Sequence, residues 1–153
     1  MVSRRVISSV MDALAVASQI LESATEEVVW VAPLSLLSLS ERHGLVEQTR
    51  AFIRRGGVSR GVVPLSRASV RELQASPAIG ADVRHSDEAH ELLMFVGDRR
   101  QSISAINVGI DDFTRDTPLI AFWSEDPTYA QYLLASFEYA WSRAIPAERL
   151  RSR

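Results

Sequence analysis

The order of short apolar runs and helical patterns constrains the fold of this 153-residue chain more than any other sequence feature. Three runs rich in β-branched and aromatic residues alternate with helical patterns, at residues 27–33, 58–64 and 81–85. Three further runs follow with no helical pattern between them, at residues 90–96, 101–108 and 118–123. We therefore predict an α/β domain with a mixed β-sheet flanked by helices, in which a β-α-β-α-β unit precedes a β-meander and a long C-terminal helix.

Helical spacing and turn residues place the helices around these strands. An amphipathic N-terminal helix of about five turns is predicted from its apolar positions, which are Ile7, Val10, Met11, Leu14, Ala17 and Leu21. Further helices are predicted at residues 36–55, before two glycines, and at residues 67–76. The last helix starts at the Asp-Pro-Thr sequence 126–128 and ends before Pro146. One domain is expected over residues 1–149, with a tail at residues 150–153.

The composition excludes several kinds of chemistry. The chain has no cysteine, and all 17 basic residues are arginine. Disulfides, thiolate nucleophiles, cysteine-bound zinc, Schiff bases and Walker-type phosphate loops are therefore excluded. Arginine can bind a phosphate or a carboxylate, but it hardly ever gives up a proton near neutral pH. Three histidines leave little material for a metal site, and we predict neither a metal nor a cofactor.

Charge and hydropathy bear on partners and location. A net charge of −2 disfavours nucleic acid and anionic membranes as partners. The N-terminal apolar stretch is interrupted by Ser8, Asp12 and Gln19, so it lacks the continuous apolar segment of a signal peptide. Nothing in the sequence approaches the roughly 18 apolar residues that a membrane span requires. We expect a cytoplasmic protein that does not insert into membranes.

Several sequence segments, taken in order, carry a family resemblance. They are VVWVAP at 28–33, RRGGV at 54–58, DVR at 82–84, LIAFW at 119–123 and FEYAWSRAIP at 137–146. This order resembles the phospholipase D-like fold, and in particular the degenerate single-unit domains at the C-termini of TrmB-type transcriptional regulators. The resemblance covers about residues 6–149. It implies a homodimer, because active members of the family bring two catalytic signatures together across a pseudo-twofold or dimer axis.

The family's catalytic signature is a histidine, a lysine two residues later and an aspartate five residues after the lysine. His90 takes the histidine position, but the lysine position falls on Leu92 and the aspartate position on Gly97. Asp98 lies one residue late, and a slip of one residue turns a strand side chain to the opposite face unless a β-bulge restores it. The resemblance therefore implies a unit that has lost its phosphodiesterase chemistry.

Five residues remain candidates for a retained site. His90 and Asp98 are the remnant catalytic candidates, and the ligand-binding candidates are His90, Arg84, Ser104 and Asn107. Ser104 and Asn107 are similar to the small polar residues that follow the signature in active members. His90 and Asp98 also have simpler interpretations. A lone histidine at a strand edge, such as His90, is usually structural or solvated. Asp98 beside Gly97 is typical of a tight turn, here the hairpin turn predicted at residues 97–100.

Other polar and aromatic groups are weighed in the same way. His85 lies near Asp87 and Glu88, but loop solvation is favoured over weak metal binding. The aspartates at 111, 112 and 116 are interpreted as surface, and the arginine pairs at 4–5, 54–55 and 99–100 as exposed charge or helix-end complements. The aromatic residues of the last helix are expected mostly in the core, and any that are exposed would indicate an interface. They are Tyr129, Tyr132, Phe137, Tyr139 and Trp141.

These inferences favour a non-catalytic phospholipase D-like domain that binds a small ligand or a protein partner in a regulatory or signalling system, as a homodimer. One alternative is a weak phosphodiesterase or nuclease that uses His90 from two subunits, with arginine as the phosphate clamp. No arginine occupies the required strand position in the sequence. The other alternative is a structural assembly subunit, which predicts a large apolar interface and no pocket.

Overall fold

The computed structural model describes residues 4–64, 82–86, 92–107 and 112–146. Within these ranges, eight strands form one mixed β-sheet flanked by four helices, and the predicted fold class is confirmed. The strands are β1 (Arg4–Ser9), β2 (Glu27–Val31), β3 (Val58–Pro64), β4 (Asp82–Ser86), β5 (Leu92–Gly97), β6 (Gln101–Ile106), β7 (Pro118–Ser124) and β8 (Ile145–Pro146). The helices are α1 (Val10–Ser23), α2 (Leu34–Arg42), α3 (Leu45–Arg54) and α4 (Pro127–Arg143). The helix predicted at residues 67–76 lies outside the described residues.

The sheet has helices on both faces. Its strand order is β1-β7-β6-β5-β2-β3-β4-β8, in which β2, β3 and β4 pair in parallel and the other pairs are antiparallel. Neighbouring side chains of β5 show the two layers, because Leu93 packs in the cluster of α1 and Met94 packs in the cluster of α4. Each helix layer therefore has its own apolar core against the central strands.

The N-terminal helix is shorter than the sequence predicts, because β1 precedes it. Ile7 pairs with Ala121 of β7 and is buried, while its two sequence neighbours are exposed, as the alternation of an edge strand requires. The helix begins at Val10, after Ser9, whose hydroxyl accepts a hydrogen bond from the backbone N–H of Asp12 at 3.0 Å. The prediction was wrong here because apolar spacing alone fits both a helix and this strand-to-helix junction.

The single helix predicted at residues 36–55 is two helices in the structure. Gly44 separates α2 from α3 and has φ of +85°, a left-handed conformation that is unfavourable for residues with a Cβ atom. The first helix ends at Arg42 and the second begins at Leu45. The glycine was visible in the sequence, but apolar residues on both sides continue the helical spacing and hide the break.

The predicted hairpin turn and C-terminal helix are confirmed. Three residues, 98–100, join β5 to β6, and the backbone N–H of Arg100 donates to the carbonyl of Gly97 at 3.0 Å. Asp98 and Arg99 both have positive φ, 52° and 58°, as tight turns between twisted strands require. Asp126 caps α4, because its carboxylate accepts a hydrogen bond from the backbone N–H of Thr128 at 2.9 Å. Pro127 occupies the first helical position. Among the described residues, no helix is long and apolar enough to cross a membrane.

Candidate functional site

Leu92, which the family resemblance aligns with the signature's lysine, begins β5. Leu92 pairs with Ile106 of β6 and packs against the core cluster formed with α4. His90, two residues earlier, lies outside the described residues, so its place relative to Leu92 stays a prediction. Leu92 is therefore an aliphatic side chain on the face of the sheet that α4 covers.

An aliphatic row extends from Leu92 across the neighbouring strands. Ala105 pairs with Ala121, so the register places Ile106 opposite Ile120 on β7. Ile106 is 71% exposed and Ile120 is 69% exposed, values typical of surface residues and unusual for isoleucine. The row begins at Leu92, which packs against the α4 cluster, and continues to Ile106 and Ile120, which are exposed.

Further apolar groups adjoin this row on the same face. Val6 of β1 is opposite Phe122 of β7, and Phe122 makes an edge contact with the ring of Tyr129 on α4. Val6 is 63% exposed and Tyr132, one helical turn after Tyr129, is 74% exposed. We call this surface the apolar face, formed by Val6, Ile106, Ile120, Phe122 and Tyr132. Contiguous apolar surface of this kind usually marks an interaction site.

One of the two polar candidates of the meander, Ser104, lies on this face of the sheet. Ser104 pairs with Met94 and Phe122 and is buried, and its hydroxyl is 3.0 Å from the hydroxyl of Tyr129. Asn107 follows the end of β6 and is half-buried. The hydrogen bond of Ser104 joins β6 to α4, which gives the hydroxyl a structural partner.

Asp98 lies at the other end of β5 and holds a connection together. Its carboxylate accepts backbone N–H hydrogen bonds from Thr25 at 2.9 Å, Glu26 at 2.8 Å and Glu27 at 3.0 Å. Burial by itself raises the pKa of Asp98, but these N–H donors and the hydroxyl of Thr25 lower it more, and the pKa lies below its usual value. The side chain fixes the link from α1 to β2 onto the hairpin.

The length of β5 separates Asp98 from Leu92. Asp98 is six positions after Leu92, and a strand rises about 3.4 Å per residue, so the two lie about 20 Å apart. Ser104, opposite Met94, lies close to the Leu92 end. The structure therefore brings Leu92 and Ser104 together and leaves Asp98 at the opposite end of β5.

Arg84 is engaged with the end of α4. Its guanidinium stacks on the ring of Trp141 at 3.9 Å and donates to the backbone carbonyl of Trp141 at 2.9 Å. Arg60 lies over the same ring and forms ion pairs with Glu27 and Glu138. Both arginines contact the Trp141 ring, so they support the packing of α4 on β3 and β4.

The remaining polar candidates form no metal centre in the part of the chain that the structure describes. His85 is buried within β4, so the expectation of a solvated loop histidine was wrong. Its sequence neighbours Asp87 and Glu88 lie outside the described residues. Asp112 and Asp116 are exposed, as predicted for surface loops. Of the arginine pairs, Arg55 donates to the carbonyls of Leu21 and Ala24 at the end of α1, which is a helix-end contact.

A pocket on the opposite face of the sheet was missed by sequence reasoning. A cavity of about 130 Å³ lies between α1, α2, α3 and the sheet. Its floor is Trp30 of β2, Phe95 of β5 and Ile103 of β6, which are cross-strand neighbours. Phe95 is only half-buried although β5 is a central strand. We call this space the helix-side pocket.

The wall of the helix-side pocket is apolar, and its rim is polar. The rim residues Thr49 and Arg50 of α3 are half-buried and exposed, respectively, and Ser40 of α2 is half-buried. In the sequence the wall residues looked like ordinary core residues. Apolar periodicity indicates which residues are buried, but it does not indicate whether the helices and the sheet pack without a gap. The half-buried phenylalanine in a central strand is a signal that only the structure provides.

Solved structures share this fold, although comparison with protein-family models and with curated proteins gives no match. TrmBL2, an archaeal chromatin protein, has a TM-score of 0.71 and 16% identity, covering 93% of this chain and 53% of TrmBL2. Nuc from Salmonella typhimurium, a phospholipase D family member, has a TM-score of 0.70 and 14% identity, covering 95% and 98% of the two chains. NucT from Helicobacter pylori has a TM-score of 0.66 and 8% identity, covering 95% and 99%. This chain thus spans about half of TrmBL2, and at these identities the likeness concerns the fold alone.

Proposed function

We propose that this chain, whose fold is phospholipase D-like, is a non-catalytic domain that associates with a second copy through its apolar face. In this proposal it acts as a sensor or interaction module in a regulatory system. The absence of phosphodiesterase chemistry is inferred from the aliphatic row that begins at Leu92. The exposure of the apolar face supports association with a second copy.

The chemistry at the lysine position argues against phosphodiester cleavage. Such a reaction builds negative charge on phosphate oxygens, and enzymes stabilise this charge with fixed cations or N–H donors. The side chain of Leu92 offers neither, and its neighbours Ile106 and Ile120 extend the aliphatic surface. A phosphate group there would lose water without gaining a charged partner.

Three described arginines, Arg4, Arg60 and Arg84, do not replace the missing lysine. Arg84 on β4 and Arg4 on β1 are each three strands away from β5, a lateral distance of about 14 Å at the usual strand spacing. Arg84 is stacked on Trp141, and Arg4 pairs with Asp126 at 2.9 Å. Arg60 on β3 is two strands away and forms ion pairs with Glu27 and Glu138. These three arginines therefore give the weak-phosphodiesterase alternative no support.

A second copy of the chain is the partner that suits the apolar face. The face is apolar at its centre, and at its rim Arg4 and Asp126 neutralise each other. A surface without net charge is poorly matched to a polyanion and well matched to itself across a twofold axis. Exposed Tyr132 adds an aromatic group of the kind that dominates interface energetics.

DNA binding is known for the similar protein TrmBL2, but we do not extend it to this chain. The net charge is −2, and among the described arginines Arg55, Arg60 and Arg84 are held by contacts within the fold. Binding to phosphates needs a row of available cations. We propose that the output of the domain passes through a separate protein partner.

Sedimentation equilibrium on the purified chain tests the proposed dimer. We expect the wild-type chain to be a dimer and the Ile120→Glu variant to dissociate at least about a hundredfold more readily, because two carboxylates would be buried near the twofold axis. Ile145→Glu is the matched control, since Ile145 is 46% exposed at the opposite edge of the sheet. A monomeric wild type, or an Ile120→Glu variant that dimerises normally, would refute the proposal.

A further inference from the structure

We infer that the helix-side pocket is a binding site for a small carboxylate with an apolar body about the size of a benzene ring or a short alkyl chain. The pocket lies on the face of the sheet opposite the apolar face, so it is separate from the lost catalytic position. It supplies the ligand that the proposed sensor role needs, but its occupancy is measured independently of the dimer.

The size of the pocket sets the size of the apolar body. Its volume is about 130 Å³, and an engineered apolar cavity of about 150 Å³ binds benzene. The floor is made of two aromatic rings, Trp30 and Phe95, with Ile103 beside them. A flat ring or a short unbranched chain can contact all three, whereas a sugar would leave its hydroxyl groups without partners against this floor.

Trp30 makes the floor rigid. Its indole N–H donates to the hydroxyl of buried Ser59 at 3.3 Å, and its ring lies directly against Gly61 of the neighbouring strand. A ring fixed on one side by backbone and by a hydrogen bond cannot readily turn to fill the space above it. The cavity is therefore part of the fold, and binding requires little rearrangement of the floor.

The rim supplies the charge preference. Arg50 is the charged side chain that lines the pocket among the described residues, and it is exposed at the mouth. Its guanidinium is oriented by Glu47 at 2.6 Å on the same helix. A ligand whose tail enters the pocket would place its head group beside Arg50, where an anion is favoured over a cation.

Hexanoate is the probe, compared with hexanol and hexylamine by calorimetry on the purified chain. We expect hexanoate to bind most tightly and hexylamine most weakly. Arg50→Gln should reduce the affinity for hexanoate about tenfold, towards that for hexanol. Equal affinities for the three probes, or a preference for hexylamine, would refute the charge assignment.

Two substitutions on α1 test the location with the same chemical change. Ala17→Leu fills the pocket and should weaken hexanoate binding at least about tenfold, because displaced methylene groups each contribute about 0.8 kcal/mol. Ala15→Leu adds the same volume on the exposed side of α1 and should leave binding unchanged. Equal binding by wild type and Ala17→Leu would refute the site.

Nuclear Overhauser contacts in the wild-type chain keep the test decisive if Ala17→Leu fails to fold. The hexanoate methylene protons should show contacts to the methyl groups of Leu14, Leu93 and Ile103, which line the pocket. Absence of binding, or contacts to methyl groups elsewhere only, would overturn the inference. Loss of the dimer in the wild type would not affect these contacts, so the two proposals fail separately.

Discussion

Replacing Asp98 with asparagine tests whether its carboxylate holds the fold together. One oxygen accepts from the N–H groups of Glu26 and Glu27, and the other accepts from Thr25. Asparagine tolerates the positive φ at this position, so the backbone of the turn is kept. Its amide can retain the two bonds to one oxygen, but its NH₂ group then meets the N–H of Thr25, and one charge-assisted hydrogen bond is lost.

The expected loss follows from that single hydrogen bond. A bond to a charged group contributes about 1.5–3 kcal/mol, so Asp98→Asn should lower the free energy of unfolding by about 2 kcal/mol at neutral pH. The melting temperature should then fall by about 4–8 °C for a chain of this length. The Asp98→Asn variant should still fold, because β5 and β6 remain paired.

The pH dependence gives the sign of the electrostatic contribution. The pKa of Asp98 in the folded chain lies below its usual value, which in the unfolded chain is about 3.9. The stabilisation is therefore fully present above the unfolded-state pKa, and it is lost as the pH falls through the folded-state pKa. The difference in stability between wild type and Asp98→Asn should narrow in acid.

Urea unfolding followed by circular dichroism, from neutral pH into acid, measures this difference. Asp116→Asn is the control, since Asp116 is exposed in the loop before β7 and the change should stay within about 0.5 kcal/mol of wild type. A difference for Asp98→Asn that is as small as the control, or one that does not depend on pH, would refute a structural role for this carboxylate.

Two further substitutions test local features of the fold. Gly61→Ala should lower the free energy of unfolding by about 1–3 kcal/mol, because the added methyl group would overlap the ring of Trp30; urea unfolding measures the loss, and an unchanged midpoint would contradict this packing. Ser9→Ala should cost about 1 kcal/mol through loss of the cap on α1. Thermal unfolding beside Ser8→Ala, an exposed neighbour, measures that cost, and equal melting temperatures would exclude the cap.

Local chemistry explains which elements could be predicted from the sequence. The hairpin at Asp98 and Arg99 and the start of α4 at Pro127 depend on residues within one turn, and both are confirmed. The phospholipase D-like fold was also predicted, because the order of elements is encoded along the whole chain. β1 was missed because its identity depends on pairing with β7, a partner more than a hundred residues away.

The candidate site was predictable to a smaller extent. The family resemblance aligned Leu92 with the lysine of the signature, but the row that Leu92 forms with Ile106 and Ile120 depends on strand register. The exposure of Tyr132, which the sequence analysis treated as a sign of an interface, required knowing which face of α4 is covered. The helix-side pocket follows from how three helices fail to fill the space above Phe95, and no local pattern reports such a gap.

Hydrolysis of an activated phosphodiester, bis(4-nitrophenyl) phosphate, tests the central claim that this phospholipase D-like domain has lost its catalytic chemistry. The purified chain is incubated with the substrate, alongside His90→Ala, and released nitrophenolate is followed by absorbance. With leucine at position 92 and no lysine in the chain, both proteins should show no more release than buffer alone. Turnover by the wild type that disappears in His90→Ala would contradict the account.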